Sequence, residues 1–211
     1  MSGLKTLVRQ NYGFALFLVL LFACRSSIAD WYHVPSGSML PTIIEGDRIF
    51  VEKMAYRLDV PFSDIPIMQF GTPQRGDIVT FESSAANERL IKRIIGLPGD
   101  KVAMLNNQLF INGQLQPQEG QGTDRLEHLF QREHALRVTD SPSELSSFPV
   151  VTVPEGQYLV LGDNRNHSAD SRVYGFIPLE EISGRAVLVI TSLDLDNYYL
   201  PRADRWFASL M

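Results

Sequence analysis

The sequence predicts a mainly β fold preceded by one apolar N-terminal helix. Three observations carry this expectation. Short apolar runs of strand length recur between turn signals from Asp30 onward. Gly-Asp turn dipeptides, Gly46-Asp47, Gly76-Asp77, Gly99-Asp100 and Gly162-Asp163, fall at the ends of such runs. An uncharged stretch, Gln10 to Cys24, lies between Arg9 and Arg25.

With 211 residues, 45% of them hydrophobic and 20% charged, the chain is of ordinary globular composition and can bury a real core. This excludes a disordered, collagen-like or multi-span membrane protein. Nineteen basic and 24 acidic residues give a net charge of −5, which leaves no electrostatic footprint for nucleic acid. The single cysteine, Cys24, excludes an internal disulfide and a multi-thiolate metal site. No histidine/carboxylate spacing suggests a metal centre.

Taken in order, the first element is the apolar segment. Lys5 and Arg9 precede it and Arg25 closes it. A cleavable signal peptide fits, with Ser27-Ile28-Ala29 a loose small-x-small site. A lipoprotein signal ending at Cys24 is disfavoured by the bulky Phe22. A retained anchor over residues 10–30 also fits, its flanking arginines snorkelling and Trp31 and Tyr32 at the interface. In either case the positive flank puts residues 1–9 in the cytoplasm and residues 31–211 outside.

Strands are expected at Arg48–Lys53, Asp77–Phe81, Arg89–Ile95, Gln157–Leu161 and Arg185–Ile190. Lys101–Leu105 and Gln108–Ile111 read as a hairpin closed by Asn106-Asn107. The Gln-, Glu- and Ser-rich stretch at about 114–149 reads as an insertion in the β core. It contains one helix-like piece, Asp124 to Leu136, and two histidines, His128 and His134, that read as solvated. The tail from Asn197 reads as terminal packing, with a membrane-surface contact as the alternative.

Two places carry chemistry. In Glu88-Arg-Leu-Ile-Lys-Arg-Ile-Ile-Gly96, strand alternation puts Lys92 on one face and Arg93 on the other, each between branched aliphatics. Lost hydration lowers the pKa of such a lysine, and a neutral amine can act as a general base. In Pro35-Ser-Gly-Ser-Met-Leu-Pro-Thr42, two serines bracket a glycine between fixed prolines. A sharp turn there can present a hydroxyl and a backbone amide together, as an oxyanion site requires. A histidine base, His33 or His167, is equally allowed by composition.

The chain resembles the bacterial type I signal peptidases of the serine–lysine class, in the compact single-anchor form. The resemblance rests on the apolar segment, Pro35–Thr42 with Gly46-Asp47, Arg75-Gly-Asp-Ile-Val79, Lys92-Arg-Ile-Ile-Gly-Leu-Pro-Gly-Asp100, and Gly162-Asp-Asn-Arg165 with Ser168-Ala-Asp-Ser-Arg172. They stand in the family's order and span most of the chain outside the insertion. The resemblance implies an antiparallel β catalytic domain behind one transmembrane helix. It also implies a single-pass protein of the bacterial cytoplasmic membrane, with its catalytic domain on the extracytoplasmic side. The activity it implies is removal of signal peptides from preproteins after a small-x-small site, with no cofactor.

By position, Ser38 is the implied nucleophile and Lys92 the general base. Ser36 shares the oxyanion with the Ser38 amide, and Ser168 orients the lysine. Asp170 and Arg172 form a supporting pair, and Tyr32, Val34 and Ile91 line the substrate pocket. Asn166 and His167 depart from the family's pattern, and His167 beside Ser168 is a candidate source of pH dependence. Two rivals remain: a self-cleaving serine–lysine repressor, which the anchor disfavours, and a non-enzymatic β-scaffold, which the presence of both Ser38 and Lys92 disfavours.

Overall fold

The computed structural model describes residues 11–63, 65–139 and 143–210; residues 1–9, expected in the cytoplasm, lie outside them. A helix, Tyr12–Ser27, is followed by β1 (Ala29–His33), β2 (Asp47–Glu52), β3 (Arg57–Asp59), β4 (Pro66–Gln69), β5 (Ile78–Ser83) and β6 (Glu88–Gly96). Next come β7 (Lys101–Leu105), β8 (Gln108–Ile111), β9 (Gln114–Leu115), β10 (Gln118–Glu119), β11 (Asp124–Leu129), β12 (Arg132–Arg137) and β13 (Phe148–Thr152). β14 (Gln157–Leu161), β15 (Ile177–Pro178), the long β16 (Ile182–Asp194) and β17 (Leu200–Pro201) complete the strands.

The helix is apolar all round, and its large side chains, Phe14, Phe17, Leu20 and Phe22 among them, are exposed. At about 1.5 Å per residue its 16 residues span about 24 Å. Among the described residues no helix is long and apolar enough to cross a membrane. It stops at Ser27, so Ala29 and Asp30, expected at the end of the apolar segment, instead open β1.

The main sheet is antiparallel and ordered β1-β2-β16-β5-β6-β14-β15. β1 is its edge, paired among the described residues only with β2, from Ala29 opposite Glu52 to His33 opposite Arg48. β5 and β6 pair with Val79 opposite Lys92. A second sheet, β13-β7-β8-β9, continues from β6. The expected Asn106-Asn107 turn is present, both residues at positive φ (49° and 64°) as a tight hairpin requires.

The insertion differs from expectation. Asp124–Leu136 is not helical: β11 and β12 pair as a hairpin, with Glu127 opposite His134 and β10 alongside. Its inward positions alternate with period two, but two of them, Glu127 and His134, are ionisable. Those polar residues break the apolar alternation by which a strand is recognised. The C-terminal tail packs against the body: Leu210 joins the core, Ala208 bonds to Val189 and Arg205 pairs with Asp47.

Packing fixes the Pro35–Thr42 loop. Val34, Met39 and Ile43 are buried in one cluster with Ile49, Val51, Ile78 and Val189, and Met39 is 0% exposed. The loop is therefore held at both ends and in its middle by apolar contact, which leaves Ser36 and Ser38 on the side away from the core. Met39→Ala should lower the unfolding free energy by about 2–5 kcal/mol, as measured by urea denaturation. A loss well under 1 kcal/mol would show that Met39 does not anchor the loop.

Candidate active site

Ser38 lies in the 3-10 turn Gly37–Met39, among the first residues of that turn, where backbone N–H groups have no partner within the helix. Its Oγ stands 2.9 Å from Nζ of Lys92. The lysine is 2% exposed, and its Nζ also donates to the Ile91 carbonyl at 2.9 Å. Burial pushes the Lys92 amine down to about 8. Asp170, Glu88 and Asp163 pull the other way and Arg172 adds to the lowering, so desolvation wins. The Nζ–Oγ contact can be made with Nζ as donor or, in the neutral amine, as acceptor.

Three other expected residues frame this pair. Ser168 is 2% exposed and its Oγ has no hydrogen-bond partner among the described residues. In this structure it therefore does not bond to Lys92, which bonds to Ser38 and Ile91 instead. It is nonetheless a neighbour of the serine: a Cβ built on Gly162 would fall 2.2 Å from Ser168 Oγ and 2.5 Å from the Ser38 carbonyl oxygen. Only glycine at 162 lets the two approach. Asp170 and Arg172 form a buried pair, Arg172 Nη2 to Asp170 Oδ2 at 2.6 Å and Nε to Oδ1 at 2.8 Å. Asp170 Oδ2 also accepts from the Gly162 amide at 2.9 Å, which ties the pair to that wall.

Ser36 is exposed on the same loop and extended, with φ −140°. Tyr32, Val34 and Ile91 come together as expected: they share an open cavity of about 300 Å³ with Ile49, Thr80 and Arg89. The Arg89 guanidinium stacks over Tyr32 at 4.1 Å. A larger cavity of about 650 Å³ lies elsewhere and is lined by neither Ser38 nor Lys92; Arg93, Arg132, Arg185, Asp77 and Glu133 give it charged walls. The alternative histidines, His33 and His167, are both exposed, and neither hydrogen-bonds to Ser38.

Several residues without an expected role hold the site together. Asn164 donates from its amide to the Ser38 carbonyl (3.1 Å) and from Nδ2 to the Gly37 carbonyl (2.9 Å). Asp163 accepts from Thr42 at 2.5 Å and takes Arg93 bidentately at 2.8 and 2.7 Å. Arg165 and Glu127, both fully buried, form a second bidentate pair that binds the insertion to this wall. His134 is not solvated: it is 7% exposed, its Nε2 3.5 Å from Glu127 and 3.9 Å from Asp163. His128 also sits between carboxylates, Glu119 and Glu133, at 3.0 and 3.2 Å. The alternation that marks Arg93 as a buried cation was readable, but nothing in the linear pattern pairs it with Asp163, seventy positions on.

Residues 8–191 match the family model described as "Signal peptidase, peptidase S26". The chain is 35% identical over 204 residues to a signal peptidase I of Pseudomonas aeruginosa, covering 87% of this chain and 72% of that one. It is 37% identical over 196 residues to one of Leptolyngbya laminosa, covering 89% and 78%. A crystal structure of a signal peptidase I from Enterococcus faecalis aligns with 33% identity and a TM-score of 0.38, over 56% of this chain and 98% of that one. By the family model it matches and the relatives it resembles, this mainly antiparallel β protein is a serine endopeptidase. The chain belongs to the signal peptidase, peptidase S26 family, and its reaction is the removal of signal peptides.

The buried wall makes stability depend on pH. Burial, then the nearby Arg93 charge, hold His134 down at about 4, against an ordinary 6.5. The unfolded chain binds that proton first, so stability is full above 6.5 and falls as pH drops toward 4. Burial raises Glu127 and Asp163, but their arginines outweigh it and leave both below the ordinary carboxylate range, which extends the loss to lower pH. Urea midpoints across this range should fall with pH, and His134→Gln should flatten the upper part. An unchanged slope would clear His134 of that role.

Proposed function

We propose that Ser38 and Lys92 are the nucleophile and general base with which this endopeptidase cuts preproteins after a small-x-small site, from an anchored position at the membrane. The observation that carries the reading is the 2.9 Å contact between Ser38 Oγ and a dehydrated lysine amine.

As Oγ attacks the scissile carbonyl carbon, its proton passes to Lys92 Nζ. The developing oxyanion takes the Ser38 amide and the exposed Ser36 hydroxyl as donors. Collapse breaks the C–N bond; the ammonium returns its proton to the leaving amine, and the acyl group stays on Oγ. Water then attacks with Lys92 again as base, releasing the signal peptide and restoring the serine. While Lys92 is an ammonium it needs acceptors, and the unused Ser168 oxygen beside Ser38 can supply one. Asp170 and Arg172 keep that wall in place.

Substrate geometry supports the small-x-small preference. β1 is a sheet edge, paired among the described residues with β2 alone, so an extended chain can add to it. Tyr32, Val34 and Ile91 offer it a shallow apolar cavity. The all-round apolar helix packs no large side chain into the body, as expected of one that faces lipid. Its roughly 24 Å fall short of a hydrocarbon core of about 30 Å. The anchor reading therefore draws on snorkelling by Arg25. It places the catalytic domain at the extracytoplasmic face of the bacterial inner membrane.

Precursor cleavage should be abolished in Ser38→Ala, Lys92→Ala and Lys92→Arg, the last because guanidinium stays charged. In wild type, kcat/KM should rise with pH through about 8, as the lysine loses its proton. Substantial turnover by folded Lys92→Ala, or a limb near 6.5 that persists in it, would point to a histidine base.

A further inference from the structure

We propose that the junction between the N-terminal helix and β1 is itself a substrate of this peptidase activity, kept from it by folding: where β1 leaves the sheet, a second copy of the chain cuts between Ala29 and Asp30 and frees the catalytic domain from its helix. The inference rests on the Ser38–Lys92 reading above.

The sequence carries the parts of such a substrate in order. The basic residues Lys5 and Arg9 come first, then an uncharged stretch to Cys24, then Ser27-Ile28-Ala29 in small-x-small form. This segment fits a cleavable signal as well as an anchor. What differs between the two is whether Ala29 can reach a cleft. A substrate that adds to a sheet edge is extended and has free backbone groups. Here Ser27 is the last residue of the helix and 5% exposed, and Ile28 is still in the helical region at φ −106° and ψ −54°. The Ile28 amide donates to the Cys24 carbonyl at 2.8 Å. The Ile28 carbonyl accepts from the amides of Lys53 and Met54 at 2.9 and 3.3 Å. Ala29 pairs in β1 with Glu52 of β2.

Two side chains close the junction further. Arg25 Nε donates to Asp30 Oδ1 at 2.8 Å, an ion pair that spans the Ala29–Asp30 bond. Lys53 Nζ donates to the Ser26 carbonyl at 2.6 Å. β2 in turn pairs with β16, Glu52 opposite Arg185. The lock is therefore complete only when the sheet is, and a copy whose sheet fails to form presents an open site. In that copy the Ala29 carbonyl carbon takes Ser38 Oγ of another copy. The C–N bond to Asp30 breaks, the new amine leaves with the proton that Lys92 returns, and water releases residues 1–29 from the serine.

The test uses detergent-solubilised full-length protein, with wild type as enzyme and Ser38→Ala as the substrate copy, which lacks the nucleophile to cut itself. A secretory precursor in the same tube reports the ordinary activity, and intact mass reads the cleaved bond. Lys53→Pro in the Ser38→Ala copy removes the amide that bonds Ile28 and the Nζ contact to Ser26, while suiting the first position of the 3-10 turn Lys53–Ala55. That copy should be cut after Ala29 about ten- to a hundredfold faster than its parent, and adding Ala29→Leu should stop the cut. A synthetic peptide of residues 12–33, which has no β2 to pair with, should be cut at the same bond. Cleavage of the precursor with the peptide left intact would overturn the proposal and leave the Ser38–Lys92 reading standing; cleavage of neither would overturn both. Equal rates for the Lys53→Pro copy and its parent, or a cut at another bond, would contradict the proposal.

Discussion

The bidentate pair between Arg93 and Asp163 is the joint on which the site depends. Arg93 is next to Lys92 on β6 but points to the other face; Asp163 follows β14 and takes the hydroxyl of Thr42 as well. One residue on, Asn164 holds the carbonyls of Gly37 and Ser38. The lysine strand, the wall after β14 and the serine loop therefore close into a ring of charged and backbone hydrogen bonds. The 2.9 Å between Ser38 and Lys92 is the small gap this ring leaves. Burying an arginine and an aspartate costs several kcal/mol of desolvation each, largely offset by their own attraction. Such a pair contributes little net stability, but losing either partner leaves an unpaired charge in the interior. What the ring supplies is position.

The same burial that makes the ring costly also lowers the pKa of the lysine. Lys92 is lowered by desolvation against three carboxylates that would raise it. An exposed lysine at the same distance from Ser38 would be an ammonium at neutral pH and could not accept a proton. The insertion contributes to this dryness: Glu127 reaches Arg165, and Ala135 and Arg137 of β12 bond to Thr42 and to the Asp163 carbonyl. A hairpin that looks peripheral in the sequence is part of the back wall of the cleft.

Much of the site was legible because its chemistry is local. Lys92 between branched aliphatics allowed a dehydrated amine and two serines around Gly37 allowed a constrained loop, but a snorkelling lysine and a plain loop fitted those segments too, and it was the set of motifs in order that singled them out. Most strands were legible for the same reason, as apolar alternation ending at turn dipeptides. The misread pieces share a physical cause. Asp124–Leu136 hides its period-two pattern because two of its four buried positions are a glutamate and a histidine, which face each other and reach Arg165 and Asp163 outside the segment. β3 and β4 were missed because β3 is uniformly half-buried and β4 uniformly exposed, so no alternation marks them. The role of Asn164 is made of backbone contacts across the fold, which residue identity cannot encode.

The central claim is that one buried amine activates one serine, and it is tested most directly by locating the covalent bond. The solubilised protein would be treated with a serine-reactive acylating inhibitor, digested and mapped by mass spectrometry, in wild type and in Lys92→Ala. The account expects the acyl group on Ser38 in wild type and a severe loss of labelling without the amine. Modification at any other residue, or equal labelling of Ser38 in the lysine variant, would contradict it.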